Sequence, residues 1–196
     1  GNSAVSSISD YKSYSFLCET VHLSVSVLDN RTYRNDSNIK LTGLPVLSTI
    51  TSENELLVVT MGYTDTKPGE DPVTTPVQVH FINPDSKSLR YTRALGDKVI
   101  NANEIVPTDI VSTPLGYSYV TSNKGLIRLD TRNNGNLIDV SKRIFSKIEY
   151  NAQIKSLLLL ELTGTSVKLV QGSAITGVIV DDIPLPNYTN CFHMSY

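Results

Sequence analysis

The chain has 196 residues, enough for one medium-sized domain with a substantial core. Charged residues make up 18% of it and the formal net charge is −2, so the composition offers no basic face for binding nucleic acid. The longest uninterrupted aliphatic runs cover residues 56–59 and 157–160, far short of a membrane span, and we expect no such span in this chain.

Short apolar alternations separated by turn residues dominate the first half of the chain and predict β-strands. Apolar and polar residues alternate over 21–27, as in a half-buried strand, and the polar stretch 29–38 then predicts a loop. Residues 55–61 are apolar on both faces and predict a central strand. Residues 64–75, with two prolines and three acidic side chains, predict an exposed, mobile loop, and a further strand follows over 77–81.

The second half continues the β pattern with one exception. Residues 116–121 and 125–129 predict two strands of a hairpin, and three more strands follow over 156–162, 167–171 and 175–180. Between the hairpin and the last three strands, residues 137–148 predict the single short helix. Four of its apolar residues share roughly one helix face: Ile138, Ile144, Phe145 and Ile148.

A loose repeat recurs at residues 56–95, 117–140 and 157–180, with a period of about 40 to 47 residues. That period suits the four-stranded blades of a β-propeller, although hairpins of a β-sandwich would be spaced similarly. The sequence therefore predicts a mainly β fold, with β-propeller-like blades or a β-sandwich or barrel, and one short helix. We expect residues 1–45 to form an N-terminal strand and polar loop, and 46–196 to form repeated β-sheet units of the same domain.

No residue pattern indicates a catalytic centre or a cofactor. None of His22, His80 and His193 stands at a metal-ligand spacing from Cys, Asp or Glu. The acidic pairs Glu70–Asp71 and Asp181–Asp182 are the only candidates for a carbohydrate-active enzyme, and the chain has no Trp to line a sugar cleft. We therefore expect a protein that is not an enzyme and that uses no cofactor or metal.

Cysteines and sequons bear on the compartment. Cys18 and Cys191 could form one disulfide in an oxidising environment, or they could remain separate thiols or pair elsewhere. Sequons for N-glycosylation occur at Asn30, Asn35 and Asn187, all in polar, turn-like contexts, although a similar number is expected by chance.

Tyrosine is the dominant aromatic residue, with ten Tyr against four Phe. Tyr gives amphipathic contact area at a low entropic cost, which suits a binding face, although tyrosines also commonly edge β-sheets. The candidate binding residues are Tyr33, Arg34, Tyr63, Tyr117 and Tyr119.

Residues 56–62 and 123–127 resemble strand and turn segments of paramyxovirus attachment glycoprotein heads, which are β-propellers. The resemblance lies within residues 50–185. It implies a viral glycoprotein at the virion surface or outside the cell. Such a protein would attach to a host protein or glycan receptor, and it could form a homo-oligomer. The alternatives are a structural, oligomerising spike or scaffold fragment, and a carbohydrate-active enzyme.

Overall fold

A computed structural model describes residues 4–96, 104–133, 135–164 and 166–185, and it describes residues 183–185 by their backbone alone. The described chain is built from four-stranded antiparallel sheets, which we call blades 1 to 4. Blade 1 contains β1 (Val5–Tyr11), β2 (Tyr14–Glu19), β3 (Ser24–Asp29) and β4 (Arg34–Lys40). Blade 2 contains β5 (Leu44–Ile50), β6 (Leu56–Met61), β9 (Gln78–Asn83) and β10 (Ser88–Ala94).

A separate two-stranded sheet, the ribbon, is inserted between β6 and β9. It consists of β7 (Tyr63–Asp65) and β8 (Val73–Thr75). Blade 3 contains β11 (Pro107–Ser112), β12 (Tyr117–Ser122), β13 (Gly125–Asp130) and β14 (Asn136–Ser141). Blade 4 contains β15 (Lys147–Asn151), β16 (Ser156–Thr163), β17 (Ser166–Ser173) and β18 (Ile179–Leu185).

Each blade is a meander in which successive strands pair, apart from the ribbon insertion in blade 2. The chain divides into two compact units, residues 1–50 with 54–105 and residues 51–53 with 106–196. The first unit holds blades 1 and 2 and the ribbon, and the second holds blades 3 and 4.

Each unit has a hydrophobic core of its own. In the first unit the core joins apolar side chains of the two blades: Phe16, Cys18, Val25, Val27, Ile39, Leu41, Leu56, Val58 and Ile82. In the second unit the corresponding set is Tyr119, Leu126, Phe145, Ile148, Leu157, Leu159, Val170 and Ala174. A single blade exposes both faces of its sheet, so pairing two blades removes apolar surface from water that neither could cover alone.

Most strands predicted from apolar runs are confirmed, but of the predicted strand 175–180 only residues 179 and 180 lie in a strand, β18. Residues 55–61 become β6, whose first five residues are all buried, and 77–81 contribute to β9. The predicted hairpin strands become β12 and β13. Each of the three repeats covers the last three strands of a blade, and the first strand of each blade precedes it.

Four further local predictions are wrong. The proposed helix 137–148 consists of β14, a connection and β15. Its apolar residues are divided among these three, with Ile138 in β14, Ile144 and Phe145 in the connection and Ile148 in β15. Residues 34–38 of the predicted loop lie in β4, an outer strand where only Ile39 is buried. The predicted loop 64–75 carries both strands of the ribbon, and Val21 and Leu23 precede β3 in a turn rather than extending it.

Candidate functional site

The turn between β3 and β4 holds an exposed tyrosine in a constrained backbone conformation. Tyr33 is 81% exposed and has a φ of 54°, in the left-handed region that non-glycine residues seldom occupy. Its backbone N–H donates to the Asp29 carbonyl oxygen over 2.8 Å, which closes the turn. The aromatic ring is therefore presented to solvent by a defined turn.

Asp29 and Arg31 brace this turn from within. The Arg31 backbone N–H donates to Asp29 Oδ1 over 2.8 Å, and its guanidinium donates to both carboxylate oxygens at 3.2 and 3.0 Å. These hydrogen bonds from Arg31, its side chain first, lower the pKa of Asp29. An Asp that accepts a backbone N–H two residues later forms an Asx turn, so the Asp-x-Arg spacing was readable in the sequence.

Two other turns of the first unit meet this one. Lys12, between β1 and β2, forms an ion pair with Asp85, between β9 and β10. Lys87 donates to Asp36 over 2.7 Å, and its ammonium lies 3.8 Å from the centre of the Tyr14 ring. We call the surface formed by residues 11–14, 29–36 and 83–88 the turn surface.

Arg34 differs from the other cations of the turn surface. Lys12, Arg31 and Lys87 each have a carboxylate partner. Arg34 is exposed beside Tyr33, and no ion pair to it is present in the described part of the chain. Its guanidinium is thus available to an external acceptor.

Two of the three predicted glycosylation sites flank Tyr33. The Asn30 side-chain oxygen accepts a hydrogen bond from Ser15 Oγ at 3.0 Å, and Asn35 is exposed on β4. Asn187 lies outside the described residues. Occupancy at these sites stays a prediction.

The remaining candidate tyrosines lie elsewhere. Tyr63 is half-buried on the ribbon. Tyr117 lies on β12 with the guanidinium carbons of Arg128 and Arg132 at 4.9 and 5.0 Å from its ring centre. Tyr119 is fully buried in the core of the second unit, which raises its pKa to about 12. The prediction that Tyr119 contributes to a binding face is therefore wrong, because β12 directs its ring inward.

Two groups considered for chemistry are buried. His80 is buried in blade 2 between the hydroxyls of Thr60 and Thr92, at 2.9 and 3.0 Å from its ring nitrogens, and burial lowers its pKa to about 4. Burial likewise raises the pKa of the Cys18 thiol to about 11. Cys191 and His193 lie outside the described residues, so the Cys18–Cys191 disulfide stays a prediction. His22 is exposed, in the turn before β3.

The acidic pairs are divided between the two units. Glu70 and Asp71 lie in the exposed loop of the ribbon, in the first unit. In the second unit, Asp182 accepts a hydrogen bond from Arg143 at 2.7 Å, which lowers the pKa of that carboxyl group. Within the described ranges, no group of three His, Cys, Asp or Glu side chains is placed to hold a metal ion.

Comparison of the chain with known proteins gives structural matches alone. No family model matches, and no curated protein matches in sequence. Kuenenia stuttgartiensis hydrazine synthase matches with a TM-score of 0.68 and 16% identity, covering 92% of this chain and 49% of its own. The β-propeller domain of Myceliophteria thermophila Cps50 (Swd1) matches with a TM-score of 0.59 and 12% identity, covering 90% and 55%.

A third match is the WD40 domain of Neurospora crassa Pan2, with a TM-score of 0.59 and 7% identity, covering 89% of this chain and 52% of its own. The chain has a β-propeller-like fold. It spans about half the length of these three propeller-containing chains. Among the described residues no helix is both long and apolar enough to cross a membrane.

Proposed function

We propose that the chain is a non-enzymatic binding module that contacts a protein or glycan receptor through the turn surface, with host-cell attachment as its role. The observation that carries this proposal is Tyr33. It is the most exposed of the large hydrophobic side chains in the described part of the chain, and its turn is locked by Asp29 and Arg31.

The conformation of Tyr33 favours a binding role. A left-handed conformation costs a non-glycine residue roughly 1–2 kcal/mol, and exposing an aromatic ring forgoes the free energy of burying it. Within the first unit the ring stays 81% exposed, so the second cost is not recovered there. Both are consistent with an aromatic group held ready for a partner, because a preorganised side chain loses less conformational entropy on binding.

Arg34 adds a positive charge beside the Tyr33 ring. Tyr and Arg are the residues most often found at binding hot spots, and an unpaired guanidinium forms bidentate hydrogen bonds with a carboxylate. The neighbouring cations are already neutralised by Asp29, Asp36 and Asp85. We infer that the receptor presents a carboxylate beside a pocket or surface that covers the Tyr33 ring.

The test is binding of the labelled chain to a panel of cultured cells, before and after surface proteolysis or deglycosylation. Tyr33→Ala is expected to weaken binding by about 30-fold, the effect of losing about 2 kcal/mol at a hot spot. Arg34→Ala is expected to weaken it by about 10-fold and to reduce its dependence on salt.

Tyr91→Ala serves as the matched control, since Tyr91 is another partly exposed tyrosine of the first unit and lies on β10. It should bind like the unaltered chain. Absence of binding to every cell type, or full binding by the Tyr33 variant, would contradict the proposal. Sensitivity to proteolysis would identify a protein receptor, and sensitivity to deglycosylation a glycan.

A further inference from the structure

A groove lies beside the ribbon, at the end of blades 1 and 2 opposite the turn surface. Tyr63 pairs with Thr75 and Asp65 with Val73, so these four side chains share one face of the ribbon. That face forms one wall, and Leu23 and Leu41 contribute to the rest of a groove of about 330 Å³. We call it the ribbon groove.

The lining of the ribbon groove combines apolar groups with one ion pair, that of Asp65 and Lys67. Val73 is 64% exposed, although it is aliphatic and lies at a groove wall. Glu70 and Asp71 lie outside this lining, in the exposed loop that joins β7 and β8. The ribbon with its loop thus carries three carboxylates and one cation, Lys67, whose ammonium lies 3.9 Å from Asp65. The net charge of the ribbon is therefore negative, and an occupant that is aliphatic and cationic would match both properties.

The backbone of the ribbon offers a second kind of contact. Its sheet contains β7 and β8 alone, so within the described ranges each strand has an outer edge without a ladder partner. Unpaired strand edges accept an additional strand through backbone hydrogen bonds. The groove is too small for a folded domain and large enough for one or two aliphatic side chains of an extended segment.

We propose that the ribbon groove binds an extended peptide that has an aliphatic residue next to Lys or Arg. The peptide adds as a strand to an edge of the ribbon. Its aliphatic side chain packs against Val73 and Leu23, and its cation lies near the ribbon carboxylates. This second site is independent of the turn surface, since the two lie at opposite ends of the blades.

The experiment titrates the whole chain with a library of fluorescent hexapeptides in which aliphatic residues alternate with Lys or Arg. Charge-reversed peptides, with Glu at the cationic positions, and backbone N-methylated peptides serve as comparisons. Fluorescence polarisation is expected to show micromolar to millimolar binding of the cationic peptides, at least about 10-fold weaker binding after charge reversal, and a similar loss after N-methylation.

Two variants assign the binding to the groove. Val73→Ser and the double variant Glu70→Gln with Asp71→Asn alter exposed side chains, so both should fold, and each should weaken the cationic peptides by at least about 5-fold. Tyr33→Ala should leave peptide affinity unchanged, and the ribbon variants should leave cell binding unchanged. The proposal is overturned if no cationic peptide binds below about 1 mM, or if the ribbon variants bind it normally. Equal binding of the N-methylated peptides would overturn strand addition.

Discussion

His80 is a buried titratable side chain of the first unit whose charge state affects folding. Its ring nitrogens form hydrogen bonds with the hydroxyls of Thr60 and Thr92, and burial holds its pKa near 4 against an ordinary value of about 6.5. Because the folded pKa is depressed, the unfolded chain binds a proton that the folded chain excludes once the pH drops below 6.5. Stability from neutral His80 is therefore complete above that pH and is lost as the pH falls towards 4.

Replacing His80 by Gln should remove this part of the pH dependence. The unaltered chain is expected to lose about 2 kcal/mol of unfolding free energy more than His80→Gln between about pH 7.5 and about pH 5. Urea unfolding of both proteins at the two pH values measures the difference. Parallel pH dependence in the two proteins would show that His80 is protonated without cost in the folded state.

Among the strand connections, the β12–β13 hairpin contains a position, Gly125, that only glycine can occupy without steric overlap. Gly125 has a φ of 121°, and a Cβ there would lie 1.9 Å from the Ser141 carbonyl oxygen. Gly125→Ala should therefore destabilise the second unit by about 3 kcal/mol or more, through backbone strain and steric overlap together.

Gly164, in the β16–β17 turn of the same unit, provides the matched comparison. Its φ is 59°, and a Cβ would meet nothing within 4 Å, so Gly164→Ala should cost only about 1 kcal/mol. Chemical denaturation of both variants measures the two costs. Equal destabilisation would mean that close packing against Ser141 contributes nothing.

Elements were predictable from sequence where both faces of a strand are buried. β6 and β16 read as continuous apolar runs because a core covers them on each side. Outer strands such as β4 and β14 bury few side chains. The polar composition of β4 therefore resembled a loop, and the spacing of the apolar residues in and after β14 resembled a helix. The local sequence pattern reflects which side chains are buried. A strand that pairs with its neighbour without burying its side chains is therefore hard to recognise from sequence.

The candidate site was less predictable than the strands. Tyr33 and Arg34 could be selected because both residue types favour interfaces, whereas Tyr119 was indistinguishable from them until its inward direction on β12 was known. The contacts of Lys87 with Asp36 and Tyr14 join the β9–β10 turn to strands β4 and β2 of the other blade. No local spacing encodes such contacts, because they depend on how blades 1 and 2 pack.

At the scale of the whole chain, the two hydrophobic cores predict that each unit is stabilised by its own set of contacts. Phe16 lies in the core of blades 1 and 2, and Phe145 in that of blades 3 and 4; both are fully buried. Truncating a buried Phe to Ala costs about 3–5 kcal/mol, because it leaves a cavity as well as removing apolar contacts. Free energies of local opening follow contiguous cooperative units rather than the chain as a whole.

Hydrogen exchange followed by mass spectrometry should therefore assign each substitution to its own unit. Phe16→Ala is expected to accelerate exchange in β2, β3 and β6, and Phe145→Ala in β12, β16 and β17, in each case by about 100-fold or more for amides that exchange through opening of that unit. The two variants serve as controls for each other, since they make the same chemical change in different cores. If each variant accelerated exchange equally in all four blades, the cooperative unit would be the entire chain, and the division into two cores would have no energetic meaning.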